Sequence, residues 1–69
     1  MPYVNIKITS EQEALTAEQK AALINGVTDL LVDVVNRGPK TTVVVIDEID
    51  TDNYGAGGET ITERRSHGL

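Results

Sequence analysis

The stretch Thr41-Thr42-Val43-Val44-Val45-Ile46 is β-branched at every position. A run of this kind reads as a strand buried on both faces rather than on one. That is a heavy demand on a chain of 69 residues, because a domain of this size buries only about 60% of the surface its unfolded form exposes. Chains so short are usually stapled by disulfides, by a metal or by partner chains. Here there is no cysteine, so no disulfide and no thiolate metal site, and the one histidine, His67, cannot make a zinc site alone. Partner chains are the remaining staple. The composition suits them, since 27 of 69 residues are apolar and 19 of those are Val, Ile or Leu. The expectation is an oligomer whose subunits cover one another.

The elements around that run are readable. Pro2 to Thr9 alternates strictly, with Pro2, Val4, Ile6 and Ile8 on one face and Tyr3, Asn5, Lys7 and Thr9 on the other. This is the period of a half-buried strand, and proline is tolerated at its first residue. Ser10 to Leu15 is a polar connection. Thr16-Ala17-Glu18-Gln19 fits a capping box that opens a helix. Leu23, Ile24, Val27, Leu30, Leu31, Val34 and Val35 follow as one helical stripe, with Gly26 inside it as a mark of close packing. Asn36-Arg37-Gly38-Pro39 ends the helix, with the glycine expected at the left-handed cap.

Strand, helix of about 20 residues and second strand make one β-α-β unit, with parallel strands and a right-handed crossover. Asp47 to Asn53 reads as a solvated acidic connection and Tyr54-Gly55-Ala56-Gly57-Gly58 as a turn. Glu59 to Glu63 reads as a short hairpin arm and Arg64 to Leu69 as a tail. The fold class is α+β: two parallel strands, one long helix and a C-terminal hairpin, as a single domain over 1–69. One such unit covers only one face of a two-stranded sheet, so geometry repeats what composition implied.

Six basic against eleven acidic residues give a net charge of −5, which disfavours nucleic acid as a partner. No apolar run approaches the roughly 20 residues of a membrane span, and no signal-peptide core follows Met1, so the chain is expected in the cytoplasm, away from membranes. Asp50-Thr51-Asp52 opens like a calcium loop, but the fifth position is Tyr54 and the twelfth is Ile61 rather than glutamate. Gly55, Gly57 and Gly58 lack the spacing of a dinucleotide loop. No metal and no cofactor is called for.

The start of the chain carries the remaining chemistry. Met1 precedes a small residue, the context in which the initiator is commonly removed, and removal makes Pro2 a free secondary amine. An α-amino group titrates at roughly 7.7–8.0, and an apolar pocket or a nearby cation pushes it lower. A neutral amine acts as a general base, and its conjugate acid returns the proton.

Met1-Pro2-Tyr3-Val4-Asn5-Ile6-Lys7-Ile8, Thr16-Ala17-Glu18-Gln19-Lys20, Thr42-Val43-Val44-Val45-Ile46 and Tyr54-Gly55-Ala56-Gly57-Gly58-Glu59 occur in that order. Together they resemble the 4-oxalocrotonate tautomerase family over nearly the whole chain, from Pro2 to about Arg65. The resemblance implies a tautomerase-like domain of β-α-β subunits, paired into dimers that assemble as a homohexamer, a trimer of dimers. It implies a cofactor-independent isomerase that interconverts enol and keto forms of a small 2-oxo or 2-hydroxydienoate acid. Pro2 matches the catalytic proline, Tyr54 the aromatic residue lining the pocket, and Gly57 and Gly58 the structural hairpin glycines. The arginine of the loop after the first strand has no counterpart between Ser10 and Leu15, and the strand arginine is replaced by Val44. Lys7, Lys40, Arg64 and Arg65 are the candidate substitutes for holding a substrate carboxylate. Arg64 or Arg65 is favoured, because a hairpin arm can reach a neighbouring subunit's pocket. Two alternatives are a hydratase- or dehalogenase-like activity on the same scaffold and a non-catalytic subunit of a mixed oligomer.

Overall fold

The computed structural model describes residues 1–68. Along it run strand β1 (Tyr3–Thr9), helix α1 (Ala17–Val35), a 3₁₀ turn (Pro39–Thr41), strand β2 (Val43–Ile49), a second 3₁₀ turn (Thr51–Asn53), strands β3 (Gly55–Ala56) and β4 (Glu59–Thr60), and helix α2 (Ile61–Ser66). Strands β1 and β2 form one parallel two-stranded sheet and β3 and β4 another, antiparallel. The chain divides into two compact units. The first holds Met1–Ile6 and Leu15–Asp47, and the second holds Lys7–Ala14 together with the residues from Glu48 on.

In the first unit the predicted capping box is present. Thr16 Oγ1 accepts from the Gln19 N–H at 3.0 Å, and Gln19 Oε1 accepts from the Thr16 N–H at 3.0 Å. These bonds satisfy two of the donors that every helix start leaves open. The helix is capped two residues earlier than its glycine suggests. Asn36, not Gly38, takes the left-handed conformation (φ 54°, ψ 41°), and its N–H bonds the Val32 carbonyl at 3.1 Å. Gly38 is extended, at φ −63° and ψ 133°, because Pro39 pushes the residue before it away from helical geometry. Asparagine is the usual non-glycine occupant of that cap.

Strand β2 is displaced from the predicted Thr41–Ile46. Thr41 and Thr42 close the 3₁₀ turn instead, both hydroxyls donating to the Gly38 carbonyl (3.3 and 3.1 Å). At the other end the strand continues through Asp47 and Glu48 to Ile49, residues the acidity had assigned to a solvated connection. Asp47 is half-buried and accepts from Asn5 Nδ2 at 2.9 Å, which is what allows a carboxylate inside a strand. The sheet is pinned near its two ends, by Val43 N–H donating to the Pro2 carbonyl (2.9 Å) and Ser10 N–H donating to the Ile49 carbonyl (2.7 Å).

The two-faced burial expected of the valine run is not supplied by this chain. Among the described residues none is fully buried, and Val43 and Val45 stay about two-fifths exposed while Val44 and Ile46 are half-buried. The α1 stripe is likewise half covered. Val27 and Leu31 are half-buried, but Leu30 is 59% and Val34 69% exposed. Gly26 faces open space, with nothing within 4 Å of where a β-carbon would stand, so it marks no close packing within the chain.

The second unit corrects the reading of the C-terminus. Gly57 (φ 64°) and Gly58 (φ 86°) make the two-residue turn of the β3–β4 hairpin, with Gly55 opposite Thr60 and Ala56 opposite Glu59. Positive φ at both central residues is what the tightest hairpin turn requires. The arm expected over Glu59–Glu63 stops at Thr60, and α2 (Ile61–Ser66) takes in the first half of the expected tail. Thr60 Oγ1 accepts from the Glu63 N–H (3.0 Å) while Glu63 Oε1 accepts from the Thr60 N–H (3.1 Å), a second capping box. Leu69, the last residue of the expected tail, lies outside the described residues. No helix among the described residues is long and apolar enough to cross a membrane.

Candidate active site

Pro2 is half-buried and lines a cavity of about 410 Å³ together with Met1, Val35 and Arg37. Three local features place these side chains. Strand pairing holds Pro2 through its carbonyl, the last residue of α1 supplies Val35, and the Asn36 cap turns the chain so that Arg37 follows at the rim. Met1 is almost fully exposed. While Met1 is attached, the Pro2 nitrogen is a tertiary amide without a basic lone pair, and its removal yields the amine.

Tyr54, Arg64 and Arg65 lie in the second unit. Tyr54 is half-buried immediately before β3, and its carbonyl accepts from the Ile61 N–H at 2.7 Å, which ties the hairpin to the start of α2. Glycine suits position 55 because of a close approach, since a β-carbon would stand 3.1 Å from the Glu59 carbonyl oxygen, tighter than an ordinary contact. Arg64 is half-buried on α2, with Nη1 donating to the Ala56 carbonyl across the hairpin at 3.3 Å.

Arg65 already holds a carboxylate. Its Nη1 and Nη2 donate to Glu11 Oε1 and Oε2, both at 2.9 Å, the two-pronged geometry that suits a planar carboxylate. Thr9 Oγ1 donates to Glu11 Oε2 at 2.6 Å. The hydrogen bonds from Arg65 and then from Thr9 hold the Glu11 carboxyl down at about 2, and the same partner raises Arg65 above its ordinary value. The connection between Ser10 and Leu15, which lacks a basic residue of its own, thus supplies an acid to α2 instead. His67 is exposed, with Nδ1 at 3.5 Å from a Glu59 carboxylate oxygen, as a surface histidine would be.

Two of these participants escaped the sequence. Glu11 sits in a polar connection with no spacing signal toward Arg65, 54 positions away. Arg37 was legible only as part of a helix stop, although a basic residue just past a helix that ends beside Pro2 follows from parallel strand order.

The chain is similar to known proteins over nearly its whole length. The family model described as tautomerase enzyme matches residues 2–64. Probable tautomerase K2 of Dickeya dadantii is 62% identical over 65 residues, covering 94% of each chain. The crystal structure of DmpI from Helicobacter pylori superposes with a TM-score of 0.87 at 48% identity, covering 94% of this chain and 97% of that one. A 2-hydroxymuconate tautomerase of Bacillus subtilis is 32% identical over 63 residues, 91% of this chain and 97% of its own. With its β-α-β order, C-terminal hairpin and proline at the start of the matched region, the chain belongs to the tautomerase family.

Proposed function

We propose that the protein is a Pro2-dependent tautomerase acting on a small 2-hydroxydienoate or 2-oxo acid. The observation that carries this reading is the position of Pro2, which opens the family match, immediately precedes β1 and lines a cavity. The 2-hydroxymuconate tautomerase among the relatives supports the substrate class. After Met1 is removed, the neutral Pro2 amine takes the proton of the dienol hydroxyl. The electron pair moves along the conjugated chain, and the prolinium returns the proton to carbon. One proton changes place from oxygen to carbon, with no redox change and no co-reactant. An oxyanion develops as the proton leaves, and a cation at the carboxylate end stabilises it.

The pocket is completed between copies. Tyr54 walls it and keeps the amine dry, and Arg64 reaches a neighbouring copy's site from α2. Arg65 takes a substrate carboxylate only by exchanging it for Glu11. The assembly is a homohexamer of three dimers, supported by the exposed valines of β2 and the uncovered flank of α1.

The test is the enol-to-keto conversion of 2-hydroxymuconate and of phenylenolpyruvate by the wild type and by Pro2→Ala. Loss of the general base costs about 100- to 10,000-fold in rate. Equal rates for the two proteins would contradict the proline mechanism.

A further inference from the structure

The family's two substrate-binding arginines have no counterpart at their own positions, yet the Pro2 cavity is not without a cation. We propose that Arg37 is the carboxylate-holding and specificity-determining residue of the site, gripping the C1 carboxylate of the 2-oxo acid beside Pro2. This rests on the reading of Pro2 given above and adds to it the residue that selects for an acid.

Four observations converge. Arg37 lines the same cavity as Pro2 and Val35, the fourth lining residue being Met1, whose removal the proposed mechanism requires. Its backbone is set between two fixed structures, the left-handed Asn36 cap and the Gly38–Thr42 turn closed by two threonine hydroxyls. Among the described residues its guanidinium makes no hydrogen bond and no ion pair. In a chain with eleven acidic and six basic residues, an unclaimed arginine at a cavity is a group with its partner still to come.

The other cations serve less well. Arg65 is occupied by Glu11. Arg64, which donates to the Ala56 carbonyl, is proposed above to reach a neighbouring copy's site and does not line the cavity beside Pro2 in its own chain. Lys40 stands on the following turn and does not line the cavity, and its ammonium lacks the planar fork that matches a carboxylate. A purely structural task for Arg37 is also conceivable in chemical terms, since a cation just past a helix C-terminus complements the helix dipole. That task acts on stability and is blind to whether the substrate carries a charge, so the two roles separate experimentally.

The experiment compares phenylenolpyruvate with its methyl ester, which enolises alike but lacks the anionic carboxylate, on the mature assembled protein. A charge-assisted hydrogen bond is worth about 1.5–3 kcal/mol. Arg37→Gln is therefore expected to lower the acid-to-ester ratio of kcat/KM by about 10- to 100-fold. Arg37→Lys, which keeps the charge without the fork, should fall between. A change of less than about threefold in that ratio for Arg37→Gln overturns the proposal, whatever happens to the melting temperature. Should the glutamine variant not assemble, the lysine variant is read by the same ratio, with a several-fold fall expected and an unchanged ratio overturning it. Pro2→Ala is assayed alongside. If it loses turnover of both substrates while Arg37→Gln keeps the ratio, Arg37 alone is refuted. If it keeps turnover, the proline mechanism fails independently.

Discussion

Glu11 and Arg65 form a two-pronged charged contact whose consequences can be worked out residue by residue. The carboxyl is held at about 2 against an ordinary 4.5, first by the hydrogen bonds from Arg65 and then by that from Thr9. A carboxyl depressed on folding stabilises the folded form above its ordinary value and loses that contribution as pH falls toward 2. Both side chains are about half exposed, so solvent screens the pair and its share of stability is small. Its role is to fix the connection after β1 to α2. Carbon-13 NMR of the Glu11 carboxyl should show a midpoint near 2 in the wild type, moving back toward 4.5 in Arg65→Gln. A wild-type midpoint already at the ordinary value would mean the clasp is absent in solution. Nothing in the sequence announced this pair, because spacing rules describe neighbours along a helix or strand and not partners in separate segments. Pro2 was legible for the opposite reason, since its meaning lies in being second in the chain.

At the scale of elements, legibility followed length. β1 and α1 carry enough residues for their periods to declare themselves, and the Thr16–Gln19 box marks where the helix begins. α2 has six residues, too few for a period. Its one signal was Thr60-x-x-Glu63, the same pattern as at Thr16, standing after a glycine turn that read as the end of structure. The end of β2 was missed because acidity was taken for solvent exposure, whereas Asn5 gives Asp47 a partner inside the sheet. The flank of α1 that presents Leu30 and Val34 makes a prediction of its own. Apolar side chains spaced four residues apart and left more than half exposed belong against another chain. Val34→Glu places a charge in that contact and should shift the native mass from the proposed hexamer to smaller species. A hexamer that survives the substitution unchanged would remove this face from the interface.

For the whole molecule, the two-faced strand that the chain cannot bury by itself and the cavity that one chain only partly walls are the same deficiency. In the proposed tautomerase copies of the chain answer both, so catalysis and assembly share an interface. The proline mechanism turns on the state of one atom in that assembled, processed molecule. The most direct measurement is therefore a nitrogen-15 NMR titration of Pro2 in the purified native protein. The expected result is a secondary amine whose midpoint lies at or below the roughly 7.7–8.0 of an ordinary α-amino group, as a neighbouring cation and an apolar wall require. A Pro2 nitrogen that shows no titration would be an amide still joined to Met1, and would contradict the mechanism.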